Sequence, residues 1–107
     1  MTEDLRGPYR ELTEAIPGVL AGFNALHKAA MAEGVLDMKV KELIALAISI
    51  TRECDGCISA HARGAARRGA TVAEVTEMIG VAISMNGGPG TVWGPRALAA
   101  FHEYADT

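Results

Sequence analysis

Apolar residues recur along this chain at intervals of three and four, and no segment shows a convincing alternation of two. That period belongs to the α-helix. Tyr9, Leu12 and Ile16 outline a short helix over residues 9–15. Pro17 either ends it or starts the next one. Val19, Leu20, Phe23, Leu26 and Ala30 continue the pattern as an amphipathic helix, with Gly34 as its stop. The run over 38–52 carries Met38, Val40, Leu43, Ile44, Leu46, Ala47, Ile48 and Ile50, and is apolar nearly all round. It reads as the central helix. Its β-branched residues make a buried strand the rival, but its length, Ala45 and Ala47 favour helix. Asp37 is placed to cap it by accepting a backbone N–H.

Asp55 and Gly56 break the pattern between Cys54 and Cys57. An Ala-rich helix follows over about 56–68, with Gly69 as its C-cap. Gly64 weakens that helix by roughly 1 kcal/mol relative to Ala and so points to a tight crossing. Thr71 and Glu74 form a capping box ahead of Val72, Val75, Ile79 and Ala82. Met78, Ile83 and Met85 widen that face as core or interface filler. Asn86-Gly87-Gly88-Pro89-Gly90 is a stop and turn. It lacks the spacing of a phosphate-binding loop. Trp93, Ala97, Ala100, Phe101 and Tyr104 outline the last helix, which Pro95 begins or bends. Residues 1–8 read as frayed. The expected architecture is an all-α bundle of about five or six helices, one domain over 1–107 without linker or repeat.

Composition sharpens this picture. Of 107 residues, 50% are hydrophobic but only 5% aromatic, so Ala, Val, Ile, Leu and Met supply the core. A chain this short buries only about 60–70% of its unfolded surface. Subunit contacts are therefore expected to complete the bundle. A net charge of -3 gives no overall attraction for nucleic acid or anionic lipid. Arg63, Arg67 and Arg68 read as a solvated face, favourable near a helix C-terminus. No apolar run reaches membrane-spanning length, and MTEDLRG lacks the layout of a signal peptide. The expected setting is a reducing cytoplasm, where two cysteines point to catalysis or metal binding more than to a permanent staple.

The candidate chemistry lies within residues 37–69. Cys57 falls in the first turn of its helix, where unpaired N–H groups and the helix dipole stabilise a thiolate. Such a sulfur attacks a peroxide oxygen and becomes a sulfenic acid. Cys54 is close enough in sequence to condense with it, and an external thiol must then reduce the disulfide. His61 lies four residues beyond Cys57, one turn along the same face, where imidazole can take the thiol proton or stabilise the thiolate. Glu42, an acid inside an otherwise apolar helix, can reach His61 if the two helices pack antiparallel. There it would hold the ring's tautomer or relay a proton. The blander readings are a core histidine, a carboxylate paired with an arginine, and buried thiols. Cys54, Cys57 and His61 with His102 or Glu42 also number four zinc ligands, though without the usual separation into two knuckles. No metal or cofactor is expected. His27 and His102 read as surface or subunit-contact residues, and Trp93 as a cover for the core or the wall of a pocket.

Glu42, then Cys54-Asp55-Gly56-Cys57 after 12 positions (54 − 42), then His61, resembles the active-site pattern of the carboxymuconolactone decarboxylase family in its alkylhydroperoxidase D-like branch. The likeness extends over roughly residues 17–104. It implies a small all-α subunit assembled into trimers or hexamers. It also implies that Cys57 attacks a hydroperoxide, that Cys54 resolves it, and that His61 and Glu42 relay the proton. The reductant it implies is a thiol, a lipoyl group or a dithiol protein. The peroxidase branch often carries a second histidine just before the second cysteine; here that position is Gly56. Decarboxylases of the family generally lack the CxxC. The expected function is thiol-dependent hydroperoxide reduction. The alternatives are a cysteine-independent, lactone decarboxylase-type acid–base enzyme and a non-enzymatic oligomeric stress or assembly protein.

Overall fold

A computed structural model describes residues 4–105. Those residues form six helices and no strand: α1 (Arg6–Ala15), α2 (Pro17–Met31), α3 (Met38–Thr51), α4 (Asp55–Arg67), α5 (Val72–Asn86) and α6 (Gly88–Ala105). The all-α expectation holds, and the rival strand over 38–52 is excluded. Where the sequence pattern suggests one domain, contacts divide the chain into a unit ending at Ala32 and a second unit from Glu33 onward.

The first unit is the pair α1 and α2. Residues 6–8 are helical, so α1 begins earlier than Tyr9; residues 1–3 lie outside the described part. Two local features allow the early start. The Arg6 backbone N–H donates to the Asp4 carboxylate at 3.1 Å. Pro8 sits in the first turn, where its missing N–H costs no helical bond. Pro17 takes the first position of α2 for the same reason. Neither helix contains a buried residue. Two helices of 10 and 15 residues enclose too little volume for a core.

The second unit holds the core. Leu46 and Ile50 of α3, Ile58, Ala62 and Ala65 of α4, Val75, Ile79 and Ala82 of α5, and Ala97 and Phe101 of α6 are buried together. Phe101, Leu46, Ile50 and Val75 are the largest side chains fully enclosed. The alanines of α4 keep it thin enough to pack against both α3 and α6. Gly90 and Gly94 do the same for α6 against α5. An added Cβ would stand 2.9 Å from the Ile83 backbone at Gly90 and 2.8 Å from the Ile79 side chain at Gly94. The stop expected over 86–90 is narrower than the sequence suggests. Only Gly87 leaves the helical path, at φ 68°, and α6 starts at the next residue. Pro95 therefore lies inside α6 and does not begin it.

Caps set the helix boundaries. The Val40 N–H donates to Asp37 at 2.8 Å. The Thr71–Glu74 capping box is closed in both directions, at 3.1 and 2.9 Å. Helix α4 ends in a Schellman motif: the Gly69 and Ala70 N–H groups donate to the carbonyls of Ala66 and Ala65, with Gly69 at φ 81°. Helix α3 ends by the same pair of bonds, from Glu53 to Ile50 and from Cys54 to Ser49. There the left-handed residue is Glu53, at φ 52°. A side chain in that conformation costs about 1–2 kcal/mol that glycine avoids.

Two predictions follow from these ends. Glu53→Gly relieves the left-handed strain against a larger loss of chain entropy, so the variant should gain up to about 1 kcal/mol in urea unfolding; an unchanged or lowered midpoint would refute the strain. Glu74 also bonds the Lys39 ammonium at 2.9 Å. That bond, with the Thr71 N–H, lowers the Glu74 carboxyl pKa. A depressed folded-state value contributes stability above the ordinary carboxylate range, lost as pH falls through the depressed value. Glu74→Gln keeps the capping box but not the charge, so its Tm should fall less than wild type's between about pH 5 and about pH 3. Equal falls would show that the pair does not contribute.

Candidate active site

The turn at Glu53 delivers Cys54 in an extended conformation at the N-cap of α4. Its Sγ accepts the Cys57 N–H at 3.2 Å, the role a Ser or Asp oxygen plays in an ordinary cap. The two sulfurs are joined in a disulfide, with the Cα atoms 5.2 Å apart. Cys54 is half-buried, whereas Cys57 is exposed in the first turn. Asp55, between them, faces the Arg96 guanidinium of α6 at 3.4 Å. Arg96 also lies over the Trp93 ring, 4.6 Å from its centroid. One cation thus ties the CxxC turn to α6 and offsets the acid beside the sulfurs.

Glu42 rises from the second turn of α3 and meets His61 of α4. The Nδ1···Oε1 distance is 2.9 Å, and the side chains are only 13% and 16% exposed, respectively. A carboxylate has no proton to give, so Nδ1–H is the donor and the neutral ring's lone pair falls on Nε2. Burial with a hydrogen-bonded partner is the condition under which an acid inside an apolar helix is tolerated. His61 stands one turn from Cys57 on α4, so ring and sulfur share a face. The four residues expected from sequence thus form two adjoining pairs: a disulfide, and an imidazole–carboxylate. Gly64, expected at a tight crossing, faces the Glu42 carboxylate of the neighbouring α3.

The remaining candidates lie apart from this cluster. His27 belongs to the first unit, is exposed, and stacks on Phe23 at 6.1 Å between centroids. His102 is half-buried and tilted against Phe101. Trp93 packs on the core. Arg63, Arg67 and Arg68 are exposed. Met78 packs on the core, but Met85 is 80% exposed. No group of three or more potential metal ligands occurs among the described residues. Sequence reasoning did not reach Arg96, or the Ser59–Tyr104 hydroxyl pair at 2.7 Å that also links α4 to α6. The spacing of Trp93 and Arg96, three apart on one helix, is a signal for the former; nothing local marks the latter.

Residues 17–103 match the model of the carboxymuconolactone decarboxylase family. An uncharacterized protein of Cupriavidus necator is 36% identical over 94% of this chain and 96% of its own length. The uncharacterized protein 4 in the cox locus of Paracoccus denitrificans is 38% identical over 87% of this chain and 84% of its own. The crystal structure of a carboxymuconolactone decarboxylase family protein from Legionella pneumophila, in its apo form, superposes with a TM-score of 0.90 at 36% identity. It covers 97% of this chain and 93% of that one. A crystal structure from Thermotoga maritima superposes at 0.79 with 29% identity, over 92% of each chain. The disulfide at the head of α4 and the acid–imidazole pair are consistent with the alkylhydroperoxidase D-like branch. With the sequence match and the shared fold, they identify the chain as a member of the carboxymuconolactone decarboxylase family.

Proposed function

We propose that the chain reduces hydroperoxides through the Cys54–Cys57 couple in a reducing cytoplasm, with thiols as the source of electrons. In the dithiol form, His61 takes the Cys57 proton through Nε2, held in that tautomer by Glu42. The thiolate attacks the terminal peroxide oxygen. The O–O bond breaks, the alkoxide takes the proton from the imidazolium, and Cys57 becomes a sulfenic acid. The Cys54 thiol then displaces hydroxide, which leaves as water with the Cys54 proton, and the disulfide closes. A dithiol reductant, either a lipoyl group or a dithiol protein, returns two electrons and two protons by exchange.

The single observation that carries this reading is the disulfide at the N-terminus of the helix whose next turn holds a carboxylate-bonded histidine. The greater exposure of Cys57 supports its role as the attacking sulfur, and the half-buried Cys54 suits the resolving one. A metal-independent decarboxylation would use Glu42 and His61 but leave the sulfurs idle.

The same proposal covers assembly. Val19, Phe23 and Leu26 of α2 are 63%, 59% and 67% exposed, and Ile48 of α3 is 56% exposed. Apolar surface of this kind marks an interface. We take the covering partner to be further copies of this chain, as a trimer or hexamer.

Titration of the reduced protein with one equivalent of hydroperoxide should remove two thiols per chain, and dithiothreitol should restore them. Cys57→Ser should abolish turnover, Cys54→Ser should permit one oxidation and then stall, and His61→Ala should slow alkylation of Cys57 by iodoacetamide at pH 7. Turnover unaffected by either cysteine substitution would overturn the mechanism. Light scattering should give a particle of three or more chains, reduced in mass by Phe23→Asp with Leu26→Asp; a monodisperse single chain would refute the assembly.

A further inference from the structure

We infer that Gly64 is a positioning residue for the site: its missing side chain is the notch in which the Glu42 carboxylate sits to hold His61. The inference deepens the peroxidase reading and rests on it for its consequence, but not for its geometry. Gly64 lies three residues after His61, so the two occupy one face of α4. A Cβ built on Gly64 would overlap Oε2 and Cδ of Glu42 and stand 3.0 Å from Oε1. The three atoms nearest that position all belong to Glu42.

Glycine is not required at this position by the backbone. The positive-φ glycines are Gly69 and Gly87, whereas Gly64 lies within regular α4. In a helix interior glycine is a poor choice, and the surrounding turns use alanine at 60, 62, 65 and 66. At Gly90 the atom nearest an added Cβ is the Ile83 backbone; at Gly64 it is the Glu42 side chain. What it admits is the end of one flexible acid. A methyl group at 64 leaves the backbones where they are and drives the carboxylate out. Oε1 then loses Nδ1, and the imidazole loses the bond that selects the tautomer with Nε2 unprotonated.

The test is Gly64→Ala in the full-length reduced protein, with nitrogen-15 spectra of the His61 ring as the primary readout. His27 and His102 serve as internal controls. Where its ring is neutral, wild-type His61 should appear as one tautomer, protonated at Nδ1; the variant should show a mixture while remaining folded. Hydroperoxide turnover should fall about tenfold or more, in the range of a lost acid–base contribution. In the Glu42→Gln background, Gly64→Ala should add nothing to the loss, since the two substitutions remove one interaction. An unchanged His61 tautomer, an equal further loss in the Glu42→Gln background, or failure of Gly64→Ala to fold would each overturn the inference. A tautomer shift in a protein that consumes no peroxide would uphold the notch and overturn the peroxidase reading instead.

Discussion

A carboxylate held between two helices is the constraint around which the four-helix unit is arranged. Glu42 projects from a largely apolar helix, and its charge has to be met within the protein. His61 meets it with one charge-assisted hydrogen bond at 2.9 Å. That bond places demands on both elements. On α3, Leu46, Ser49 and Ile50 turn into the core, and the Ser49 hydroxyl donates to the Ala45 carbonyl at 2.7 Å, so Glu42 is the sole acid the helix must accommodate. On α4, Ile58, Ala62 and Ala65 turn into the core beside His61 and hold its side of the helix down. The register of α3 against α4 is thus tied to a polar contact as well as to packing. Apolar contacts alone tolerate sliding; a single buried bond of fixed geometry does not.

The second fixed point is the turn between these helices. Left-handed Glu53 ends α3 with its last carbonyls satisfied and aims Cys54 into the cap of α4. One sulfur then serves two purposes, as cap acceptor for the Cys57 N–H and as half of the disulfide. Both sulfurs lie at the N-terminal end of α4, at its N-cap and in its first turn. The imidazole, one turn further on, is held from the side by Glu42 of α3. An acid–imidazole pair beside a disulfide is the arrangement on which the proposed thiol chemistry rests.

Much of this was legible in the chain itself. Period-three-and-four apolar spacing, Asp37, the Thr71–Glu74 box and Gly69 each act through local chemistry, and each helix boundary they imply lies within a few residues of the observed one. The Glu42, Cys54, Cys57 and His61 set was legible because its members are unusual residues for their positions. What was hidden depends on tertiary context. Glu53 adopts a glycine's conformation without being glycine, so no residue type announces the turn. The glycine-rich stretch over 86–90 looks like a broad loop, yet Gly88 and Gly90 are helical because α6 must pass close to Ile83. Gly64 looks like a helix crossing and is a seat for a side chain. In each case the local signal is real, and a neighbour distant in sequence determines what it means.

The division of the chain carries a last consequence. Glu42, Cys54, Cys57, His61 and Gly64 all belong to the unit from Glu33 onward, and that unit encloses every buried apolar residue of the described chain. The pair α1 and α2 contributes neither core nor reacting group. Its apolar side chains are nonetheless spaced like those of a core helix, with Val19, Phe23 and Leu26 at intervals of four and three. An apolar face of this kind marks an interaction surface. Chemistry and coverage are therefore assigned to different parts of one short chain. The acid–imidazole pair and the disulfide both form within one chain. The assembly proposed above would act on the other term, the apolar area that a chain of this length leaves in water.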